Sequence, residues 1–292
     1  MDKNPVIAVH NGRFHTDDVF AVATIALIEG DVKIIRTRDE ENFKTADYAI
    51  DVGCEYDPSR KRFDHHQQGG AGTRESGTPY ASFGLVWKTY GKTLCGTDEA
   101  AAIIEKKLVE PIDMLDNGVP IYEHPLKVYP YAIQDIIFSF GATWKDEKFD
   151  FDSAFLPALE MAKQILSQEI RMAKATVEGL RIFDFIYQRA EDKRILILDK
   201  HYPYDDVMKK YPDTLFIVRP SPQSGDWKAE TVTENLKDFV SRKMFPQNWA
   251  GKQDEKLIAE TGVSDAVFCH NGRFLVIAKT KEGALALAKL AL

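Results

Sequence analysis

Residues 6–28 have the sequence VIAVHNGRFHTDDVFAVATIALI, and this stretch decides the fold class. Its first four residues are apolar, as in a buried strand, and residues 19–28 form an apolar, alanine-rich segment of helical length. Segments of the same two types follow, with strands predicted at residues 32–35 and 48–52 and a helix at residues 39–44. The pattern predicts an α/β fold that begins as a parallel sheet, with functional side chains at the carboxyl ends of its strands.

The rest of the chain indicates a second domain, which is usual for 292 residues. Residues 54–79 are rich in Gly, Arg, Gln, Ser and Thr, a composition that favours a mobile loop, either a lid or a plain linker. The other predicted elements are helices at residues 80–90, 98–115, 153–188 and 281–292, strands at residues 195–198, 215–218 and 229–232, and a strand pair at residues 268–278. We therefore expect a first domain of residues 1–185 that includes the long connecting helix, and a smaller α/β domain of residues 186–292.

Composition limits the classes of function. The formal net charge of −7 disfavours a protein that coats duplex nucleic acid, because such binding depends on many Lys and Arg contacts to phosphate. The three cysteines are scattered without CxxC pairing, which argues against a disulfide framework and against a cysteine zinc site. We see neither a secretion signal nor a membrane-spanning run, so we expect a cytoplasmic protein.

Histidine and aspartate are clustered in the first third of the chain. His10 and His15 are followed by Asp17, and Asp64 precedes His65 and His66, so four of the seven histidines lie before residue 67. Three further acids stand where a predicted element ends: Asp51 at a strand, and Asp113 and Asp116 at a helix. Imidazole and carboxylate ligands in this number favour a first-row divalent metal, and one carboxylate can bridge two ions.

The ligand set indicates which metal to expect. Several imidazoles make the site softer than an all-oxygen site, so Mn²⁺ is the first choice, Zn²⁺, Fe²⁺ and Co²⁺ are alternatives, and Mg²⁺ is less favoured. Because adjacent side chains diverge, His65 and His66 should not bind one ion. We assign His65 to a metal and His66 to a substrate phosphate or to protonation of the leaving group. Asp18 is expected to stabilise the start of the following helix.

These residues carry a resemblance. The order of His10, His15, Asp17, Asp51, Asp64-His65-His66 and Asp116 resembles the motifs of DHH-type phosphoesterases. A closer similarity, running almost end to end, is to the melanocyte-proliferating-gene (Myg) protein family. It rests on His10-Asn11-Gly12, Phe14-His15, Arg36-Thr37-Arg38-Asp39, Asp51-Val52-Gly53, Phe63-Asp64-His65-His66-Gln67, Asp116-Asn117-Gly118, Phe245-Pro246 and Trp249-Ala250-Gly251.

The resemblance implies a DHH-type parallel-sheet catalytic domain with two metal ions. One ion would be held by His10, His15 and Asp51, and the other by Asp17, Asp51, His65 and Asp116, with Asp51 as the bridge. Asp113 competes with Asp116 for the last position. Asp64 would orient a ligand imidazole, a role that commonly affects metal affinity.

Substrate contacts are expected from two sets of residues. The resemblance assigns phosphate binding in the C-terminal domain to the turn His270-Asn271-Gly272-Arg273, although Asn-Gly is also a plain hairpin signal. Arg36, Arg38 and Arg74 could add bidentate phosphate contacts near the metals, or could be solvated surface residues. His124 and His201 are expected to be structural.

The combined expectation is a metal-dependent phosphodiester hydrolase. Members of the Myg family are understood to be 3′ to 5′ RNA exonucleases, so single-stranded RNA or a short oligonucleotide is the expected substrate, and a homo-oligomer is possible. One rival is a small-molecule phosphatase acting on a nucleotide, pyrophosphate or polyphosphate. Another is a metal-binding regulatory module without turnover.

Overall fold

The computed structural model divides the chain into two compact units, Met1–Ala175 and Thr176–Leu292. This division and the predicted boundary after residue 185 both fall within one helix, Phe151–Arg189. The described residues are 4–121, 129–222, 224–235 and 240–292. Among them, no helix is long and apolar enough to cross a membrane. Cys54, Cys95 and Cys269 are free thiols.

A five-stranded sheet forms the centre of the first unit. Its strands are β1 (Val6–Val9), β2 (Lys33–Arg36), β3 (Tyr48–Ile50), β4 (Tyr56–Asp57) and β5 (Arg62–Phe63). The order is β2-β1-β3-β5-β4, and all neighbours are parallel except β4 and β5. Apolar residues fill β1 and β3 because both strands are buried, so the predicted α/β fold with a parallel sheet is confirmed.

Seven helices of the described residues begin in the first unit: α1 (Thr16–Glu29), α2 (Glu40–Thr45), α3 (Ser82–Cys95), α4 (Asp98–Ile104), α5 (Glu110–Asp116), α6 (Ile133–Phe138) and α7 (Phe151–Arg189). Helices α1 and α3 pack together, with the rings of Phe20 and Phe83 5.4 Å apart. A π-helical turn, Glu105–Val109, separates α4 from α5. The single helix predicted over residues 98–115 is therefore interrupted.

The segment predicted as a mobile loop, residues 54–79, is partly regular. It contains β4, β5 and the short 3₁₀ turn Pro58–Arg60. Its glycine-rich second half is tied down, because Thr73 and Pro79 form an antiparallel bridge and Ser76 and Thr78 both donate to Glu110. The expectation of a mobile loop is wrong for the first half of the segment. The second half is held against α5 by its hydrogen bonds to Glu110.

The second unit is built on another five-stranded sheet, in the order β11-β12-β8-β7-β6. The elements of this unit are β6 (Ile195–Ile197), β7 (Phe216–Pro220), β8 (Trp227–Thr231), β9 (Thr233–Asn235), β10 (Val240–Ser241), α8 (Asp254–Thr261), β11 (Ala266–Cys269), β12 (Leu275–Ala278) and α9 (Lys281–Leu290). Only β6 and β7 are parallel within that sheet. Strands β11 and β12 form the antiparallel pair predicted around Asn271-Gly272.

Candidate metal centre

Three parallel strands end at one place in the first unit and deliver the clustered residues there. His10 directly follows β1, Asp51 follows β3, and Asp64 follows β5, which continues into His65. Because β1, β3 and β5 are parallel neighbours, their carboxyl ends meet at one edge of the sheet. A cavity of about 500 Å³ opens over this edge, and His10, His15, Asp51 and His66 are among its lining residues.

Asp51 lies at the middle of the cluster. Its Oδ2 lies 3.3 Å from His10 Nε2, and its Oδ1 lies 3.4 Å from both His65 Nε2 and His66 Nδ1. Burial opposes ionisation of this carboxyl, but the three imidazoles beside it hold its pKa well below the usual range. Asp51 is also in the left-handed backbone region, with φ of 51°. Aspartate tolerates this region better than most residues, and such strain is commonly found at functional sites.

Asp116 closes the cluster from the end of α5. Its Oδ2 lies 3.2 Å from His65 Nε2, and its Oδ1 lies 3.7 Å from His15 Nδ1. Asp17, in the first turn of α1, is fully buried, with Oδ2 3.9 Å from His65 Nε2. Burial, together with the charges of Asp51 and Asp116, raises the pKa of Asp17 well above its usual value. Carboxylates from three separate parts of the chain, Asp17, Asp51 and Asp116, thus converge on Nε2 of His65.

Three groups of these residues can each offer ligand atoms within 4.8 Å of one another. The groups are His10, His15 and Asp51; Asp51, His65 and His66; and His15, Asp17 and Asp116. Asp51 belongs to two groups, and so does His15. The donor set is imidazole and carboxylate throughout, the chemistry that divalent first-row metals prefer.

Several buried atoms of the cluster make no well-formed hydrogen bond in the structure, although His10 Nε2 lies 2.8 Å from Asp18 Oδ2 and 3.3 Å from Asp51 Oδ2. They are His10 Nε2, Asp17 Oδ1, Asp18 Oδ2, Asp51 Oδ2 and His65 Nε2. A buried polar atom without a partner is costly, so such a concentration calls for a ligand. Burial opposes protonation of His10 and His65, yet the neighbouring carboxylates raise their pKa values to about 10 and about 9. Cationic charge is therefore favoured here, and the residues present fit divalent ions.

Asp18 has a second role that sequence reasoning missed. It accepts a hydrogen bond from the backbone N–H of His15, as expected of a carboxylate at the start of α1. Its other oxygen, Oδ2, lies 2.8 Å from His10 Nε2, and the side chain is fully buried. Asp18 therefore orients His10 as well as stabilising the helix. A second acid immediately after Asp17 was the available signal.

Asp113, the alternative to Asp116, lies apart from the cluster. One of its oxygens accepts a bond from Arg74 Nη2 at 2.7 Å, and the other accepts the N–H of Gly84 at 3.0 Å. Burial outweighs the charge of Arg74 and raises the pKa of Asp113 to about 7. Asp113 belongs to none of the three candidate groups among the described residues. In the structure Asp113 anchors Arg74, which favours Asp116 as the predicted metal ligand.

Asp64 orients His66. Its Oδ1 lies 2.8 Å from His66 Nδ1 and accepts the backbone N–H of the same residue, while Oδ2 accepts the N–H of Cys54. The side chain of His66 is 55% exposed, whereas that of His65 is 9% exposed. Hydrogen bonds with Asp51 and Asp64 raise the pKa of His66 to about 10. His65 is thus buried, whereas His66 lines the cavity. Their rings are nevertheless only 4.3 Å apart, and together with Asp51 they form one of the three candidate groups, so the structure does not support the expectation that their side chains diverge too far to bind one ion.

The arginines predicted near the metals have different surroundings. Arg36 is committed to the fold, because it donates to the carbonyl oxygens of His10, Gly12 and Phe151 and pairs with Asp152. Arg74 is likewise bound, to Asp113 and Glu105. Both guanidinium groups are thus engaged within the fold, and a phosphate contact by either remains a prediction.

Arg38 is the remaining arginine of this set, and it lines the cavity over the cluster. Its Nη1 donates to the carbonyl oxygen of Asn11, and its Nη2 lies 3.3 Å from His10 Nδ1. Arg38 therefore combines a structural contact with a position from which it can reach a ligand in the cavity.

In the second unit, the turn His270–Arg273 is largely occupied with its own contacts. His270 Nδ1 accepts the N–H of Gly272, and Arg273 donates to Phe245 O and Met244 Sδ. The side chain of Asn271 lies beside Gly251. Of the four turn residues, only Gly272 lines a neighbouring cavity of about 500 Å³, which His201 also lines. The structural role expected of His201 remains a prediction, and His124 lies outside the described residues.

Sequence reasoning missed two further residues, Ser82 at the cluster and Gly84 beside Asp113. Ser82 Oγ donates to Asp51 Oδ1 at 2.8 Å, and the N–H of Ser82 donates to Asp17 Oδ2 at 3.2 Å. Gly84 lies against Asp113, and a Cβ there would meet Asp113 Oδ2 at 1.8 Å. The start of a predicted helix was the only hint at either position.

Comparison with known families places this chain in one of them. Residues 6–292 match the MYG1 exonuclease family model, described as "Uncharacterised protein family (UPF0160)". This chain belongs to the MYG1 family. The predicted family resemblance is thereby confirmed, and the MYG1 match covers both units.

Curated members of the MYG1 family align with nearly the full chain. The human protein named MYG1 exonuclease is 29% identical, over 99% of this chain and 86% of its own length. The MYG1 protein of Dictyostelium discoideum is 30% identical, over 97% of this chain and 94% of its own length. The MYG1 protein of Saccharomyces cerevisiae is 28% identical, over 98% and 95%.

Proposed function

We propose that this chain is a metal-dependent phosphodiester hydrolase that removes nucleotides from the 3′ end of RNA or short oligonucleotides. The observation that carries the proposal is the sharing of Asp51 between two groups of metal-ligating side chains in a family whose human member is named an exonuclease. Mn²⁺ as the metal, a DHH-type fold for the first unit, a cytoplasmic location and a homo-oligomeric state remain predictions. The division into a catalytic domain of residues 1–185 and a substrate-binding domain of residues 186–292 is part of the same proposal.

Two ions are proposed at the cluster. One would be held by His10, His15 and Asp51, and the other by Asp17, Asp51, His65 and Asp116. Each of these residues occurs in at least one group of converging ligand atoms. When bound, the ions would lower the pKa of water and offset negative charge on the phosphate oxygens.

The chain's own residues would position the ions and manage one proton. Asp51 is held by Ser82, and His10 is held by Asp18, so both side chains are oriented before substrate arrives. Asp64 binds His66 at Nδ1, which leaves Nε2 of this half-exposed ring facing away from the carboxylate. A protonated His66 can then donate from Nε2 to the leaving oxygen of the cleaved diester.

The test is an assay of short RNA labelled at the 5′ or the 3′ end, with Mn²⁺ added and the bound metal determined by elemental analysis. Asp51→Asn should abolish Mn²⁺-dependent cleavage and reduce the bound metal. Asp57→Asn is the control, because Asp57 only caps an exposed turn. Retention of Mn²⁺-dependent cleavage by Asp51→Asn would contradict the proposal. Hydrolysis of pyrophosphate or a nucleotide, without cleavage of RNA, would support the small-molecule phosphatase instead.

A further inference from the structure

Arg13 is a surface residue that lies between two of the proposed ligands, His10 and His15, in the sequence. Its side chain is exposed, and its Cζ lies 5.0 Å from the centre of the Phe138 ring. Phe138 is the last residue of α6, and its ring lies 6.3 Å from the ring of His15. Helix α6 therefore supplies an aromatic platform that carries a guanidinium beside the metal centre.

The charge of Arg13 is uncommitted. Within the described part of the chain it forms no ion pair, whereas Arg36 and Arg74 are each bound to carboxylates. A guanidinium stacked on an aromatic face keeps its N–H edges available, and those edges match a phosphate in bidentate geometry. Arg13 is therefore equipped to bind an anion without disturbing any contact of the fold.

The position of Arg13 indicates which anion it would meet. The cavity over the cluster is of a size that holds one small ligand, and Arg13 is not among its lining residues. His15, with 41% of its side chain exposed, lines that cavity and also faces Phe138. A ligand confined to the cavity would not need Arg13, but a ligand that continues past His15 would approach it.

We propose that Arg13, stacked on Phe138, forms a second phosphate subsite that binds the internucleotide phosphate next to the one being cleaved. The subsite would make the protein prefer single-stranded oligonucleotides over substrates with a single phosphate. This inference rests on the proposed function, since it needs a phosphodiester to be cleaved at the cluster. It concerns a different residue and a different phosphate.

The experiment compares two substrates with the Mn²⁺-loaded protein. One is a labelled single-stranded RNA of several nucleotides, and the other is bis(p-nitrophenyl) phosphate, a diester with one phosphate. Arg13→Ala should raise KM for the RNA roughly tenfold, as expected for loss of a charged hydrogen bond, and leave kcat nearly unchanged. Neither constant should change for the single-phosphate diester. Phe138→Leu should have a smaller effect in the same direction.

Salt dependence separates a phosphate contact from a general disturbance. Loss of one phosphate contact should reduce the slope of log KM against log salt by about 0.7 for a single strand. Arg13→Lys keeps the charge and should restore the slope while only partly restoring KM. Arg60→Ala is the matched control, because Arg60 is an exposed arginine paired with Glu55 away from the cluster.

The outcomes distinguish the two proposals. If RNA is cleaved and Arg13→Ala changes KM for both substrates equally, or for neither, the inference is wrong and the proposed function stands. If the wild-type protein neither cleaves nor binds RNA, the proposed function fails and the inference fails with it. If Arg13→Ala raises KM for RNA but not for the single-phosphate diester, and also reduces the slope of log KM against log salt, the result supports both the proposed function and the inference.

Discussion

The hydroxyl of Ser82 donates a hydrogen bond to Asp51 across 31 residues of sequence, at 2.8 Å. Both side chains are buried, and the N–H of Ser82 binds Asp17 as well. The first turn of α3 therefore touches two carboxylates that come from different elements. This contact fixes the spacing between them before any ion binds.

Ser82→Ala is expected to weaken metal binding. Loss of a residue that orients a ligand commonly lowers metal affinity or activity by roughly 10- to 100-fold. The free energy of unfolding should fall by only about 1 kcal/mol, the usual net worth of one hydrogen bond. Titration of the metal-free protein with Mn²⁺ and urea unfolding measure the two effects. Thr24→Ala is the control, since its buried hydroxyl bonds only to Phe20 O, and an equal loss of affinity there would refute the specific role of Ser82.

Divalent metal is expected to stabilise the fold. Burial and repulsion raise the pKa of Asp17, which indicates that the metal-free carboxylates destabilise one another. A ligand at one hundred times its Kd adds about 2.7 kcal/mol to the free energy of unfolding. Thermal unfolding with Mn²⁺, with Mg²⁺ and with a chelator should give the highest Tm for Mn²⁺. An equal rise in Tm for Asp51→Asn would show that the ion binds elsewhere.

Gly84→Ala is expected to destabilise the protein, although alanine normally stabilises a helix relative to glycine. The added Cβ would lie 1.8 Å from Asp113 Oδ2, so the carboxylate and Arg74 must move. We expect a loss of roughly 2 kcal/mol or more in the free energy of unfolding. In the Asp113→Ala background the same substitution should cost much less, because the clashing group is gone. Additive effects in this double-mutant cycle would contradict the contact.

Asp113 should make stability depend on pH in a defined direction. Burial raises its pKa in the folded protein to about 7, while an unfolded aspartate titrates near its ordinary value. Between these values the folded state holds a proton that the unfolded state has released, so stability falls as pH rises through this window. As pH rises through this window, the free energy of unfolding of the wild type should fall, relative to that of Asp113→Asn, by up to about 1.4 kcal/mol per pH unit. Urea unfolding of both proteins, in the presence of a chelator and across this pH range, measures the difference. If the free energy of unfolding of the wild type rises with pH relative to that of Asp113→Asn, Arg74 keeps Asp113 ionised.

The main features of the fold could be predicted because they depend on hydrophobic pattern. Strand β1 is an apolar run because it is buried, and the 39-residue helix α7 has a long amphipathic sequence. Strands β4 and β5 have two residues each, too few to show any periodicity. They were therefore missed within a segment whose composition favours a loop.

The cluster was predictable because histidine is rare and its position at strand ends is informative. The partners of the polar side chains were not, since they depend on tertiary contacts between distant segments. Nothing in the sequence distinguishes Arg36 and Arg74 from Arg38, yet both are bound within the fold. Sequence also left Asp113 and Asp116 as alternatives, and only the course of α5 separates them.

The π-helical turn Glu105–Val109 joins α4 to α5, and the number of residues in it sets the direction in which the side chains of α5 point. Each helical residue turns the chain by about 100°, so removal of one residue from the turn would rotate everything that follows. If a residue after Glu105 were removed, Glu105, the first residue of the turn, and Asp113, beyond it, would no longer reach Arg74 together. Asp116 would leave His65 by the same rotation. A single-codon deletion between Lys106 and Val109, which removes none of the proposed ligands, should therefore be as damaging as the loss of Asp116 itself.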